Sequence, residues 1–352
     1  MRSLITKNRT LLCIVLFALA IRIYIALAAQ EPRDAGDIET YNTLAVEGGF
    51  GVCQAPFYPL LLRLVYLVFG VANLTPLFVI QGISSALVVP LLYFVASRTW
   101  GERAGIAAAV MSAVYPDFLF YNAAVHPESL IVLCVVSIMA IAVSGMRDTY
   151  KACAQGAFVG AGVLLQTSLV FLVPGVIMTL RKRLLFCIVC AAILAPWILR
   201  SSVVYRTFAP AACVSSHSDE SIWKYAAAGG SLYRVADRMY VNVLTLYNWH
   251  PESPVIKVAG GSTRINGIYF VRKYSYLVLL LAGSFAAARY VRKEHHSIVL
   301  PVLICSACLV LLAQLSEGRF RALLEPLLIL YASAMVALRA AGPGRADGSP
   351  AA

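Results

Sequence analysis

A cluster of carboxylates follows the first long apolar segment of the sequence. The stretch DAGDIETY contains three acidic residues, Asp34, Asp37 and Glu39. If a helix begins at Asp37, then Asp37, Tyr41 and Ala45 share one face, because they are spaced by four. On that face Asp37 could border a site at the boundary between membrane and water, or it could be the N-cap of the helix. The spacing favours neither, whereas Asp34 and Glu39 are predicted to be solvated.

A second acidic position lies in the segment His126-Pro127-Glu128. Proline at the first helical position and an acid in the first turn are ordinary features of a helix start. The alternative is a functional one, in which Glu128 and His126 border the same cavity as Asp37. Both interpretations predict a helix that begins near residue 128.

Arginines near the ends of two apolar segments could bind a phosphate. Arg200 follows the sequence APWIL, and Arg319 follows Gly318 in the sequence EGRFR. The planar guanidinium suits phosphate oxygens. The alternative is that these side chains reach the membrane interface as simple anchors. Glu325 lies four residues after Arg321, a spacing at which the two can pair on a helix.

The composition predicts a protein embedded in a membrane. The 352 residues are 60% hydrophobic and 13% charged, whereas soluble domains contain about 25% charged residues. Repeated charge-free runs of about 18 residues indicate a polytopic, all-α membrane protein. The net charge of +12 could indicate nucleic-acid binding, but the basic residues flank apolar segments. Membrane orientation explains them better, so no nucleic-acid partner is expected.

The apolar segments predict about ten transmembrane helices in a single domain over residues 1–340, followed by a short tail over 341–352. A further run over 57–70 is interrupted by Arg63 and is too short to span, so it is predicted to lie along the interface. Two long outer loops are expected, over about 30–74 and 200–273. The predicted spans are about 10–29, 75–96, 104–121, 129–146, 152–166, 168–180, 184–199, 274–290, 297–315 and 322–340.

The distribution of positive charge predicts the orientation of these spans. If residues 152–180 form two spans, 15 of the 29 Lys and Arg residues fall in about 47 residues of short loops and termini on one side. That excess places both termini in the cytoplasm and both long loops outside. One long span over 152–180 would instead place Arg181-Lys182-Arg183 outside. The expected location is a bacterial inner membrane.

The acidic residues near the spans fall at their predicted outer ends. None lies near a span centre, where a charge usually marks an ion pathway. This pattern disfavours a proton-coupled transporter, whose site would lie near the midplane. It predicts a site at the outer boundary between membrane and water. The residues concerned are Asp34, Asp37, Glu39, Asp117, Glu128, Glu317 and Glu325.

The order of several motifs resembles the GT-C glycosyltransferases near family 39, which include protein O-mannosyltransferase-like, aminoarabinose-transferase-like and Rgt-type enzymes. DIETYNTLA resembles the acidic motif of their first loop. GFGVCQAPFYPLLLRLVYLVFG resembles the interfacial segment after it, and SRTWGERAGIAAAVMSAVYP the next turn and span. HPESL falls where many members carry an acid. APWILRS and EGRFRALLEPLLILYA resemble the entry to the large loop and the closing segment.

The resemblance implies transfer of a sugar from a polyprenyl-phosphate carrier at the outer membrane face. Asp37 would be the general base and would activate an acceptor hydroxyl, with inversion at the anomeric carbon. Arg319 and Arg200 would stabilise the phosphate that leaves. Tyr41, Glu128 and His126 would contact substrate. The implied partners are the lipid-linked donor, membrane lipid and a glycolipid, polysaccharide or protein acceptor.

The sequence also departs from this family pattern. Ile38 follows Asp37, where many members have Glu. Gln54 occupies the place of a metal-binding Glu in aminoarabinose-transferase-like members, so no cofactor is predicted and use of a divalent metal stays open. A flippase or transporter of lipid-linked glycans, or a non-catalytic scaffold of an envelope-polysaccharide complex, is the alternative function.

Overall fold

The structure is a computed structural model that describes residues 2–28, 37–47, 55–71, 73–205, 255–258, 261–264, 324–341 and most of 275–286. Its described part is dominated by α-helices. In chain order they are α1 (Arg2–Ala28), α2 (Asp37–Glu47), α3 (Phe57–Phe69), α4 (Thr75–Trp100), α5 (Glu102–Val114), α6 (Pro116–Phe120), α7 (Glu128–Val143), α8 (Asp148–Leu165), α9 (Leu172–Thr179), α10 (Arg183–Tyr205) and α11 (Glu325–Ala341).

Helix α4 lies at the centre of the described bundle and packs against α1, α5 and α7. Its inward residues, such as Leu77 and Leu92, are fully buried. At Gly82 the backbone of α1 comes close, because an added Cβ would lie 3.4 Å from the carbonyl oxygen of Arg22. A helix that is apolar nearly all round is expected at such a central place.

The predicted span over 104–121 is broken between α5 and α6 by a bend of 46°. Pro116 causes the break, since it has no N–H to donate to the Ser112 carbonyl and it favours extended backbone at Tyr115. The buried Arg22 of α1 replaces the missing donors. Its Nη2 donates to the Ser112 carbonyl at 2.8 Å and its Nη1 to the Ala113 carbonyl at 2.9 Å.

Helices α8 and α10 pack side by side in the same direction. Gly156 faces Phe186 and Val189, and one turn later Gly160 faces Cys190 and Ile193. Because α8 and α10 are parallel, the chain between them must return along the bundle. That return segment is a 3-10 turn over Thr167–Phe171 followed by α9. The geometry agrees with the two-segment interpretation of residues 152–180, with the break at Gln166.

Three helices of the described part are long and apolar enough to cross a membrane, and the bent α5–α6 pair makes a fourth if it counts as one span. The three cover Arg9–Ala28, Thr75–Trp100 and Arg183–Val204. Helix α3 has 13 residues and is too short to span. The total of ten spans remains a prediction, and the expected span over 297–315 lies outside the described residues.

A short antiparallel hairpin accompanies the helices in the second long loop. Val255–Val258 pairs with Gly261–Arg264, and these strands were not anticipated by the all-α prediction. The loop also starts later than expected, because α10 continues to Tyr205 and therefore includes Arg200. The membrane-embedded part of the described chain keeps the predicted helical class.

Candidate active site

The first acidic motif forms a helix that begins at the predicted residue. Helix α2 starts at Asp37, so Asp37, Tyr41 and Ala45 share a face, and Ala45 is buried. The side chain of Asp37 lies outside the described residues. Tyr41 makes an edge-to-face contact with Tyr58 of α3, with ring centroids 5.0 Å apart. Tyr41 therefore ties the helix of Asp37 to the short helix α3.

A second contact joins α2 to α3. The hydroxyl of Tyr66 donates a hydrogen bond to Oδ1 of Asn42. Tyr58 and Tyr66 are both buried, whereas Leu67 on the opposite face of α3 is exposed. Helix α3 thus has one face against the protein and one apolar face outward, as an interfacial helix is expected to have.

The second acidic motif lies at the start of α7. Glu128 is its first residue and is 2% exposed. The carbonyl of Pro127 accepts the N–H groups of Leu130 and Ile131, so the motif starts a helix as predicted, with Pro127 at the N-cap and not at the first helical position. The functional interpretation is compatible with it, because a carboxyl group in the first turn of a helix can serve the helix start and still face a ligand.

Tyr58 connects the two motifs. Burial, the Glu128 carboxylate and the neighbouring Tyr41 and Tyr66 all raise the pKa of Tyr58 well above its ordinary value of 10.0. The contribution of Glu128 requires it to act on Tyr58 at short range. Tyr41 and Glu128, two predicted substrate contacts, therefore both act on one tyrosine. Tyr58 stays neutral and can donate its hydroxyl proton.

The hydroxyl of Tyr58 donates to a buried amide on α4. It lies 2.8 Å from Oε1 of Gln81. Nε2 of Gln81 donates in turn to the carbonyls of Tyr121 and Ala124, each at 2.8 Å. Those carbonyls belong to the turn that leads from α6 into Glu128. Gln81 thus links α3 with the turn of the second acidic motif.

His126 lies in the same turn. Its Nδ1 is buried without a hydrogen-bond partner among the described residues, while the ring as a whole is partly exposed. Burial lowers the pKa of His126 to about 4, so the imidazole is neutral near pH 7. A neutral imidazole with an open nitrogen can accept or donate a hydrogen bond to a hydroxyl group of a ligand.

Asn122 offers a second open group in this turn. The residue is fully buried, and its Oδ1 accepts a hydrogen bond from the Ser129 hydroxyl at 3.3 Å. Its Nδ2 has no partner within the described part of the chain. Asn122 and His126 therefore give the turn hydrogen-bonding capacity beyond what its own fold uses.

Two further predicted outer carboxylates are buried together at a separate point. Asp117 of α6 and Glu325 of α11 are both fully buried. The Tyr115 hydroxyl lies 3.4 Å from Oδ2 of Asp117 and 3.3 Å from Oε1 of Glu325. One hydroxyl can donate to one of them at a time, so Tyr115 joins α6 to the start of α11. The predicted pairing of Glu325 with Arg321 involves a residue outside the described part.

Of the two predicted phosphate-binding arginines, the structure describes only Arg200. Arg200 lies within α10, and its guanidinium covers the ring of Trp197 at 5.1 Å. Helix α10 packs along α8, whereas the group around Tyr58 and Gln81 is built on α4. Arg319 lies outside the described residues, so its role stays a prediction.

Metal binding is not tested by the described residues. They contain no group of three or more His, Cys, Asp and Glu side chains that could hold a metal ion. Gln54, at the position where related enzymes are expected to place a ligand, is not among them. Use of a divalent metal therefore stays open.

Sequence reasoning missed Tyr58 and Gln81. Tyr58 was hidden in an apolar run, where one more aromatic residue looked like packing. Gln81 carried a readable signal, because an amide within an apolar span needs partners for its polar atoms. The prediction of site residues near the spans used charged side chains, and Gln81 is neutral.

Comparison with known proteins supports the fold. The oligosaccharyltransferase of Archaeoglobus fulgidus, tethered to an acceptor peptide containing the NVT sequon, superposes on 95% of the chain with a TM-score of 0.59 and 14% identity. ArnT from Cupriavidus metallidurans bound to undecaprenyl phosphate matches 96% of the chain, with a TM-score of 0.57 and 14% identity. The chain has the GT-C glycosyltransferase fold.

A third similar structure is the archaeal oligosaccharyltransferase AglB from A. fulgidus in complex with an inhibitory peptide and a dolichol-phosphate. The chain spans about half the length of the A. fulgidus enzyme and 60% of ArnT. At the level of sequence, residues 53–207 match the family described as dolichyl-phosphate-mannose-protein mannosyltransferase. A search of curated proteins found no match.

Proposed function

We propose that this protein is a membrane glycosyltransferase that moves a sugar from a polyprenyl-phosphate donor to an acceptor hydroxyl at the outer membrane face. One observation carries the proposal: two acid-bearing elements, α2 from Asp37 and the turn before Glu128, meet at the N-terminal end of α4 through Tyr58 and Gln81. In a GT-C fold this juxtaposition supports a site for group transfer.

In the proposed reaction Asp37 is the general base. It removes the proton of the acceptor hydroxyl as that oxygen attacks the anomeric carbon of the donor sugar. The bond from this carbon to the phosphate oxygen breaks, and the phosphate leaves with the electron pair. Attack from the opposite side inverts the configuration. Asp37 lies one helical turn before Tyr41, about 6 Å along the axis, and would approach the substrate from the same face.

The other residues of the proposal bind the substrates. Glu128 and the neutral His126 would hydrogen-bond the hydroxyl groups of a sugar, and Tyr41 would pack against it. Arg319, and after it Arg200, would stabilise the charge that develops on the leaving phosphate. The structures of ArnT bound to undecaprenyl phosphate and of AglB in complex with a dolichol-phosphate support a donor of this chemical class. The acceptor would be a glycolipid, a polysaccharide or a protein, and the enzyme itself would lie in a bacterial inner membrane.

Replacement of Asp37 tests this function. With purified protein and a defined polyprenyl-phosphate sugar, Asp37→Asn should insert and fold normally but lower the transfer rate by about 10²- to 10⁴-fold, the range of general-base catalysis. Asp34→Asn is the matched control and should cost much less. The measurement is release of polyprenyl phosphate together with appearance of the glycosylated acceptor. Equal losses in the two variants, or near-normal transfer in Asp37→Asn, would refute the role of Asp37.

A further inference from the structure

The amide of Gln81 uses its polar atoms on two different parts of the fold. The residue lies in the second turn of α4 and is fully buried. The carbonyls of Tyr121 and Ala124 can only accept, so Nε2 must face them and Oε1 must face the Tyr58 hydroxyl. The three bonds, each 2.8 Å long, therefore define one orientation of the amide.

The partners of Gln81 lead to the two acidic motifs. On one side, Tyr58 contacts Tyr41, one turn after Asp37 on α2. On the other side, the Ala124 carbonyl that Gln81 binds also accepts the N–H of His126, two residues before Glu128. A single side chain on the central helix thus holds both acid-bearing elements.

We propose that Gln81 is a positioning residue that fixes the helix of Asp37 relative to the turn of Glu128. This inference rests on the proposed transfer reaction, in which the two carboxylates act on one substrate. Interactions between buried side chains in membrane helices contribute modestly to stability. Misplacement of reacting groups by about 1 Å, in contrast, can lower a rate by about 10²-fold. The main effect of Gln81 is therefore on catalysis.

Three variants separate the contributions of the Oε1 and Nε2 hydrogen bonds of Gln81. Tyr58→Phe removes only the bond towards α3. Gln81→Glu keeps an acceptor for Tyr58, but it can donate to only one of the Tyr121 and Ala124 carbonyls when protonated and to neither when ionised. Gln81→Leu removes the hydrogen bonds of both Oε1 and Nε2. We expect kcat to fall about 10- to 100-fold in Gln81→Leu and less in Tyr58→Phe and Gln81→Glu, while binding of polyprenyl phosphate, the product of the proposed transfer, changes by less than about 3-fold.

The double variant Tyr58→Phe with Gln81→Leu tests the coupling. Because Gln81→Leu already leaves the Tyr58 hydroxyl without its acceptor, the double variant should be no slower than Gln81→Leu alone. The matched control is Ser84→Ala, also buried on α4, whose hydroxyl donates to the Ile80 carbonyl within its own helix. A purely structural role predicts normal kcat per folded molecule with a lowered melting temperature, and that result would overturn the proposal.

A readout that does not need activity separates this inference from the proposed function. Spin labels at Thr43 on α2 and Ala123 in the turn report the distance between the two elements in nanodiscs. Gln81→Leu should broaden that distance distribution, whereas Ser84→Ala should leave it unchanged. Absence of transfer in the wild-type protein, whatever the donor, would count against the proposed function. An unchanged distribution in Gln81→Leu would count against the positioning role itself.

Discussion

Two regions of the molecule are held together by different physical means. Around α4, the candidate site depends on directional hydrogen bonds between buried polar groups, centred on Gln81 and Tyr58. Between α8 and α10, contact depends on glycine. An added Cβ at Gly156 would lie 2.8 Å from the carbonyl oxygen of Phe186, and one at Gly160 would lie 3.0 Å from the Cβ of Ile193.

The difference indicates a division of labour within one bundle. Small residues let helix backbones approach closely and gain packing without polar partners, so the α8–α10 contact tolerates little change in size. Hydrogen bonds specify direction, so the α4 region should tolerate changes in size better than loss of a donor or acceptor. Substitutions at the α8–α10 contact should alter folding, and substitutions in the α4 region should alter catalysis.

The largest effect on folding is expected from Gly156→Leu. The leucine side chain would meet backbone atoms, which cannot move away as a flexible side chain can. We therefore expect the free energy of unfolding to fall by about 3 kcal/mol or more. The yield of monodisperse protein and its melting temperature measure this. Gly145→Leu is the control, because an added Cβ there meets nothing within 4 Å. Equal behaviour of the two variants would show that the α8–α10 contact is not sterically fixed.

A smaller loss is expected from Arg22→Met. Arg22 is fully buried, and it also donates to the Ser85 hydroxyl at 2.9 Å. Its removal leaves the Ser112 and Ala113 carbonyls without donors at the break after α5. We expect destabilisation of about 2 kcal/mol, since an unsatisfied buried acceptor costs about 1–3 kcal/mol and the cost of burying the cation is relieved.

Thermal unfolding in detergent gives the measurement for Arg22→Met. Arg9→Met, at an exposed position of the same helix, serves as the control. A variant as stable as the control would mean that these carbonyls find other donors. Destabilisation in Arg22→Met would also show that some buried hydrogen bonds of the bundle contribute to stability and not to catalysis.

The smallest effect concerns pH and His126. Burial lowers the pKa of His126 to about 4, from an ordinary value of 6.5. The unfolded chain therefore binds more protons than the folded one between these values, and this residue lowers stability as the pH falls from 6.5 to 4. In His126→Asn that contribution should disappear. Between pH 6.5 and pH 4 the melting temperature of the variant should therefore fall by about 2–4 °C less than that of the wild-type protein. Identical pH profiles of the two proteins would contradict the buried, neutral state.

Much of this architecture was predictable from local sequence. The start of α2 at Asp37 and of α7 at Glu128 followed from helix-start chemistry, and α3 followed from an apolar run that begins at Phe57. The break at Gln166 followed from charge on the loops. Each of these features depends on neighbours in the chain.

The links between elements were not predictable in the same way. The bonds of Gln81 to Tyr58 and Tyr121 span 23 and 40 residues, and no local pattern encodes such pairs. Arg22 lies inside the first predicted span, but its role in replacing the donors lost at Pro116 depends on the packing of α1 against α5. The burial of Asp117 beside Glu325 likewise depends on α11, far along the chain.

The central claim is that the protein transfers a sugar with Asp37 as its base, and a cellular measurement tests it most directly. In a strain that lacks the gene, mass spectrometry of envelope glycolipids, polysaccharides and glycoproteins should reveal a product smaller by one sugar residue. The wild-type gene should restore the mass, and Asp37→Asn, produced at an equal level in the membrane, should not. Full restoration by Asp37→Asn would contradict the account, because a flippase or a scaffold does not need that carboxylate.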